Sequence, residues 1–318
     1  MYIGLATPAP PGSRSGNRVT ASRWAGFFRE LGHRVAVGQT YGGQNFDLLV
    51  AVHALRSAQS VRDFSARRPG RPVIVLLAGT DVYGPLYEEG GGPVLDAAAR
   101  LVTLQRLAVE ELRPEHQPKA RTIVQSARPT PTPGPSPNAR TFDVSVVGHL
   151  RPVKDPFLAA AATRRLPRES RIRVLQLGDA MTPAMARRAN ALVAAHPRYE
   201  WRQGLPAWRA RRVLKRSRVM VISSISEGGA NVVSEAVVDG VPVLASRMPG
   251  NVGLLGDDYP GYFPVGGGAE LRRLLLRCER EPAFLTQLQE EAAPLRATLN
   301  PERERDDWRS LLEEIGLG

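Results

Sequence analysis

The sequence predicts an α/β protein made of two Rossmann-like units. Three features carry that reading. Short apolar runs alternate with amphipathic or alanine-rich helical stretches, and the alternation occurs twice along the chain. The two series are separated by Ala127-Arg-Pro-Thr-Pro-Thr-Pro-Gly-Pro-Ser-Pro-Asn138, which can continue neither helix nor strand and reads as a semi-rigid linker. The length, 318 residues, suits two domains of about 150 residues each. The predicted organisation is an N-terminal Rossmann-like domain over 1–126, a linker over 127–141, a C-terminal Rossmann-like domain over 142–300 and a terminal helix over 301–318.

In the N-terminal half, strands are expected near 2–7, 34–39, 48–53, 73–78, 100–105 and 121–125. These are the apolar strand candidates of that half. After the first strand comes Pro8-Ala-Pro-Pro-Gly-Ser-Arg-Ser-Gly-Asn-Arg-Val-Thr-Ala21, leading into a helix that ends near Gly32. This loop is suited to a small anion. Gly12 and Gly16 let the backbone wrap it, Ser13 and Ser15 can donate, and Arg14 and Arg18 add fork-shaped charge around Asn17. His53 and Asp81 stand near strand ends of the same half and are further candidates for orienting an acceptor or a sugar.

In the C-terminal half, strands are expected near 143–148, 172–177, 199–202, 219–223, 241–245 and 262–265. Val144-Ser-Val-Val-Gly-His-Leu-Arg-Pro-Val-Lys-Asp-Pro156 reads as a strand ending at Gly148. It continues through Arg151 and Lys154 into a helix capped by Asp155 with Pro156 at its first position. Two cations at the carboxyl end of a parallel strand suit a diphosphate, which gains charge as it departs. Lys154 stands out because only three of the 43 Lys and Arg residues are lysines.

The most informative stretch is Ser223-Ser-Ile-Ser-Glu-Gly-Gly-Ala-Asn-Val-Val-Ser-Glu235 and its continuation to Asn251. A buried strand, a Gly228-Gly229 turn and a helical pattern follow in succession. The backbone N–H groups of Gly228, Gly229, Ala230, Asn231, Val232 and Val233 would open that helix without intrahelical partners, which favours an anion there. Glu235, one turn in, can accept from a ribose diol, and Glu227, on the loop before, can reach the hydroxyls of a sugar. The stretch is placed to grip a nucleotide diphosphate-sugar.

These residues resemble the retaining glycosyltransferases of family 4, which have the GT-B fold of two Rossmann-like domains facing a central cleft. The resemblance covers nearly the whole C-terminal half. It implies that Gly148, Arg151 and Lys154 hold the donor diphosphate, and that Glu227 and Glu235 hold sugar and ribose. It further implies that Gly178 lines the nucleotide cleft and that Leu205, in the turn Gly204-Leu205-Pro206, presents backbone groups to the base. Many relatives carry an aromatic residue and a proline where this chain has Gly229 and Val232, so the sugar pocket is expected to be shaped differently. In relatives the last helix crosses back onto the first domain, and Trp308, Leu311, Leu312 and Ile315 are spaced to do so here.

The segments Thr7–Ala21, Ala51–Ala58 and Ala78–Asp81 extend the resemblance over the whole chain, to the selenosugar synthases of selenoneine biosynthesis. That implies transfer of a hexosyl group from UDP-N-acetylglucosamine or UDP-glucose to selenophosphate, with a carbon–selenium bond formed. The expected mechanism has the two domains close on donor and acceptor. Selenophosphate is already anionic, so no base is needed to activate it. The residues alone do not separate selenophosphate from thiophosphate or another anion. An ordinary hexosyltransferase using a hydroxyl acceptor and a non-catalytic polyanion binder are the other readings.

Composition narrows the classes. The net charge of +12 is spread through both halves rather than gathered, so no nucleic-acid partner is expected. The densest run, Trp208 to Arg218, fits a helix with one apolar and one basic face. No apolar run reaches the roughly 18 residues of a membrane span and no cleavable leader is evident, so a cytoplasmic protein without a membrane partner is expected. The single cysteine, Cys278, sits in a helical pattern, and the five histidines are scattered without ligand spacing, so no cofactor and no metal are expected.

Overall fold

The computed structural model describes residues 1–131 and 136–317; residues 132–135 of the expected linker lie outside the described residues. The chain divides into two compact units. The first comprises Met1–Gln125, Glu227–Gly229 and Pro301–Gly318; the second comprises Ser126–Ser226 and Ala230–Asn300.

The first unit is built on β1 (Tyr2–Ala6), β2 (Arg34–Gly38), β3 (Leu48–Val52), β4 (Val73–Leu76), β5 (Arg100–Thr103) and β6 (Ala120–Thr122). They form one parallel sheet in the order β2-β1-β3-β4-β5-β6. The central strands β3 and β4 are buried at every residue, as apolar runs covered on both faces must be. The helix Gly16–Glu30 lays Ala21, Trp24, Ala25 and Phe28 on the sheet. The helix Pro301–Glu314 packs on it: Trp308 is fully buried, edge-on to Trp24 at 4.6 Å and to Phe28 at 4.8 Å. Beside this cluster the buried Glu304 accepts a hydrogen bond from Trp24 Nε1 at 2.7 Å.

The second unit is built on β7 (Phe142–Val147), β8 (Ile172–Leu177), β9 (Tyr199–Arg202), β10 (Val219–Ile222), β11 (Val243–Ser246) and β12 (Tyr262–Phe263). Its parallel order is β12-β11-β10-β7-β8-β9. Each sheet therefore reverses its direction of growth once, between β1 and β3 in the first unit and between β7 and β10 in the second. Ligands of open parallel sheets bind outside the carboxyl ends of the strands at such a reversal. The two loops singled out in the C-terminal half follow β7 and β10, and the basic N-terminal loop follows β1.

The structure corrects one local expectation. Asp155 does not cap a helix with Pro156 at its first position. A single 3-10 turn, Pro152–Lys154, precedes it, Asp155 itself is left-handed with φ of 38°, and the helix begins at Leu158 with Phe157 at its N-cap. The cause lies 68 residues away in sequence. Ser223 Oγ donates to the carbonyls of Lys154 at 3.1 Å and Asp155 at 2.8 Å, holding the chain in a turn where local signals favoured a helix start. Burial pushes the Asp155 carboxyl above its ordinary pKa, against the pull of Arg188.

Candidate functional site

In the second unit the loops after β7, β8 and β10 are fastened to one another by backbone. Gly148 N–H donates to Leu177 O at 2.8 Å, and Leu150 N–H donates to Asp179 O at 2.9 Å. Gly178 requires its lack of a side chain. Its φ is 138°, and a Cβ there would lie 2.3 Å from the carbonyl oxygen of Gly148. Gly178 thus brings the β7 and β8 loops into backbone contact, and its own carbonyl accepts from Trp201 Nε1 at 2.8 Å. His149 Nδ1 accepts from the Asp179 N–H at 3.1 Å, and Asp179 Oδ1 accepts from the Gly204 N–H at 2.5 Å, which anchors the turn carrying Leu205.

On the other side of the reversal, the Ile225 N–H donates to Val153 O at 2.8 Å, and Ser223 holds the Lys154 and Asp155 carbonyls as described. The segment bearing half-buried Arg151 and Lys154 is therefore tied directly to the chain leaving β10. That chain opens the helix Asn231–Val238 with Ala230 at its N-cap, which makes no side-chain capping bond, and the Val233 N–H donates to Ala230 O at 2.8 Å. Val232 and Val233 lie in its first turn and Glu235 one turn in. Asn231 Oδ1 and, just before the turn, Ser226 Oγ are buried without a hydrogen-bond partner. Orphaned buried polar atoms are rare in native proteins and fit a surface that receives a ligand. The structure brings Gly148, Arg151, Lys154, Gly178 and the Asn231 helix start to the carboxyl ends of the adjoining strands β8, β7 and β10.

Glu235 sits beside Arg211 of the helix Ala207–Arg216, with Glu235 Oε2 3.5 Å from Arg211 Nη1. Sequence reasoning treated that helix as a basic surface. It does expose Trp208, Arg209, Arg212 and Arg216, but Arg211 is turned inward with 15 % of its side chain exposed. Nothing in the run of arginines marks this one, because an inward turn is set by packing rather than by residue type.

The tripeptide Glu227–Gly229 groups with the first unit. A Cβ on Gly79 would lie 2.2 Å from Gly228 N, and one on Gly228 would lie 2.5 Å from Ala78 O. The two backbones touch where neither residue has a side chain. Gly229 fits as closely, its hypothetical Cβ 2.6 Å from Leu104 Cβ.

Elsewhere in the first unit, the loop after β1 places Ser15 at the N-cap of the helix Gly16–Glu30 without a capping bond from its side chain. Ser15 Oγ, Arg18 Nη1 and, at the end of β1, Thr7 Oγ1 are buried and unpaired. Thr7 escaped sequence reasoning, since a threonine after a strand carries no special signal. Ser15 N–H is taken by Ser13 Oγ at 3.1 Å, Asn17 is half-buried, and Gly12, Arg14 and Gly16 are exposed.

His53 and Asp81 come together at the ends of β3 and β4, with His53 Nδ1 3.5 Å from Asp81 Oδ2. His53 is buried in a left-handed conformation, φ 74°, and its Nε2 lies 3.0 Å from Thr80 Oγ1. Asp81 is fully buried. Its Oδ1 accepts from the Gly79 N–H at 2.8 Å and the Val82 N–H at 3.0 Å, and its Oδ2 from the Ala54 N–H at 2.9 Å. That geometry makes Asp81 a clamp between two loops.

Residues 135–292 match the family described as glycosyl transferases group 1. The whole chain has the fold of solved GT-B structures. It overlays HepE of Anabaena, solved with UDP-glucose, at a TM-score of 0.80 and 14% identity, covering 99% of each chain. It overlays the sucrose-phosphate synthase of Thermosynechococcus elongatus at 0.80 and 13% identity, over 99% of this chain and 98% of that one. The apo lipopolysaccharide outer core galactosyltransferase WaaB matches at 0.69 and 10% identity, over 99% of this chain and 100% of that one. Two Rossmann-like α/β units, expected from the alternation of strands and helices, and the GT-B fold that the resemblance implied are thereby established.

Among the described residues, no helix is long and apolar enough to cross a membrane, and no three His, Cys, Asp or Glu side chains gather where they could hold a metal ion. Cys278 is buried in the helix Gly268–Arg280, and burial pushes its thiol up to about 12.

Proposed function

We propose that this protein is a UDP-sugar-dependent glycosyltransferase that transfers a hexosyl group from UDP-N-acetylglucosamine or UDP-glucose to selenophosphate. The donor reading is carried by one observation: the Gly148–Lys154 segment and the chain running into the Asn231 helix are fastened together at the β7/β10 reversal. It is supported by the family match and by the likeness to HepE, which was solved with UDP-glucose. Gly148, the Leu205 turn and the backbone from Gly228 through the start of the Asn231 helix to Val233 bind the donor. Glu227 takes hydroxyls of the sugar, and Glu235 takes the ribose.

The acceptor is assigned to the loop of the first unit. Ser15 Oγ and Arg18 Nη1 are buried polar atoms awaiting a partner, and Arg14 adds charge beside them. A small multiply charged anion satisfies this chemistry. Selenium attacks the anomeric carbon, the bond from that carbon to the β-phosphate oxygen breaks, and the electron pair leaves with UDP. Arg151 and Lys154 stabilise the charge that develops on the departing diphosphate. The nucleophile arrives ionised, so no proton has to be removed from it. Water then attacks phosphorus, the selenium–phosphorus bond breaks, and inorganic phosphate and a 1-selenosugar are released.

The test is UDP release and product mass from purified protein given either UDP-sugar, with and without enzymatically generated selenophosphate. UDP formed only with selenophosphate, with a selenium isotope pattern in a sugar product, is the expected result. Sugar transfer to a hydroxyl compound without any selenium source would overturn the acceptor, and no turnover with any acceptor would overturn the enzyme. Arg14→Ala and Arg18→Ala should raise the KM for acceptor while leaving the KM for donor unchanged; unaltered acceptor kinetics in both would sink the loop assignment.

A further inference from the structure

Arg211 occupies a position in the second unit that neither the family match nor the donor motif accounts for. Its guanidinium is largely buried and faces two acids on one helix face. Nη1 lies 3.5 Å from Glu235 Oε2, and Nη2 donates to Asp239 Oδ2 at 2.7 Å. Asp239 is four residues beyond Glu235, at the C-cap of the helix Asn231–Val238, and its side chain is wholly inaccessible.

The same groups hold the chain where the proline-rich stretch begins. Asp239 Oδ1 accepts from the Thr130 N–H at 2.8 Å, and Asp239 Oδ2 from the Thr130 hydroxyl at 2.6 Å. Arg211 Nη2 also donates to Arg128 O at 3.1 Å, and Lys215 Nζ donates to Thr130 O at 2.9 Å. Thr130 is thus satisfied at its N–H, its hydroxyl and its carbonyl. One guanidinium connects this anchorage to Glu235.

We infer that Arg211 is a positioning residue: it sets the Glu235 carboxylate for the nucleotide ribose and couples occupancy of that site to the hold on Arg128–Thr130. The inference rests on the assignment of Glu235 to the ribose. Arginine suits the task because its planar fork can face two carboxylates at once, whereas an ammonium is a single point charge. Glu235 has 27 % of its side chain exposed, leaving it able to meet a ligand while Arg211 restrains it from the protein side. Coupling between two sites is reciprocal, so a ligand that orders Glu235 must also tighten the Thr130 anchor.

The test uses the full chain and UDP as the probe. Calorimetry of Arg211→Gln is expected to show UDP binding weakened about tenfold, the worth of one charge-assisted contact at a partly exposed site. With 2′,3′-dideoxy-UDP, which lacks the ribose hydroxyls, wild type and variant should bind alike. A role confined to folding would weaken both ligands equally. Arg211→Lys should recover only part of the loss. A second measurement needs no variant: hydrogen exchange at the Thr130 amide in the wild type should slow when UDP binds. UDP binding by the wild type with no change in Thr130 exchange would overturn the coupling. Equal losses for UDP and its dideoxy analogue, or none for either, would overturn the positioning role while leaving the donor assignment standing. Failure of the wild type to bind UDP would remove the donor assignment and this inference together.

Discussion

Asp81 offers the sharpest separation between a residue that serves the substrate and one that serves the fold. Its sequence position, just after a strand in a Gly-Thr-Asp turn, suits either role. In the structure three backbone N–H groups converge on its buried carboxylate, Gly79 and Val82 on Oδ1 and Ala54 on Oδ2. Asp81→Asn changes one oxygen into a donor. The cheaper orientation puts the amide nitrogen toward Ala54 and keeps Oδ1 for the other two. One buried N–H then faces another donor, at about 1–3 kcal/mol, and the two retained bonds lose the strength that a charged acceptor confers. A total of about 3 kcal/mol follows, or roughly 6–12 °C in Tm for a domain of this size. Asp81→Ala orphans all three N–H groups and should cost more. The assay is thermal unfolding by circular dichroism for both variants, paired with turnover of Asp81→Asn measured well below its melting range, where activity should persist. A melt within about 2 °C of wild type combined with lost turnover would refute the clamp and return Asp81 to the substrate.

Further expectations concern the second unit. Arg151→Ala and Lys154→Ala should each lower kcat by about 10²–10³-fold with the melting curve unchanged, because they act on charge that develops only as UDP leaves; a loss confined to donor KM would show that they contribute ground-state binding alone. Gly178→Ala places a Cβ against the Gly148 carbonyl and should both destabilise the unit and weaken UDP binding, read by melting and calorimetry. An unchanged variant would contradict the close approach of the two loops. For Asp155 the pKa is raised in the folded state, so ionisation works against folding above the carboxylate range and costs nothing once pH falls below its unfolded value. Asp155→Asn, which tolerates the left-handed backbone, should therefore raise Tm near pH 7, with the gain fading by about pH 3. Melting curves across that range check both the sign and the window.

The strand positions were readable because a parallel strand buried on both faces must be a short continuous apolar run. Leu48–Val52 and Val219–Ile222 meet that condition from their own residues. The ends were less readable. The runs near 73–78 and 100–105 stop pairing at Leu76 and Thr103, because apolar character continues into the loops while the ladder does not. The glycine-and-acid stretch after β10 was legible for a similar reason, since its chemistry is local: glycines permit close approach, and a helix start exposes N–H groups. Asp155 was misread because its conformation is governed by Ser223, and propensity carries no knowledge of a hydroxyl so far away along the chain.

What residue order alone determined is therefore the periodic and local part: two α/β series, the strand cores, the basic loop before Gly16 and the Gly228-Gly229 turn. Only the tertiary structure decided that the β7 and β10 loops are fastened to each other, that three backbone N–H groups converge on Asp81, and that Arg211 turns inward beside Glu235 and Asp239. The physical reason is the same in each case. A hydrogen bond or ion pair needs its two groups within about 3–4 Å of each other, and for residues distant in sequence that proximity is created by the packing of the sheets and helices, which no local pattern encodes.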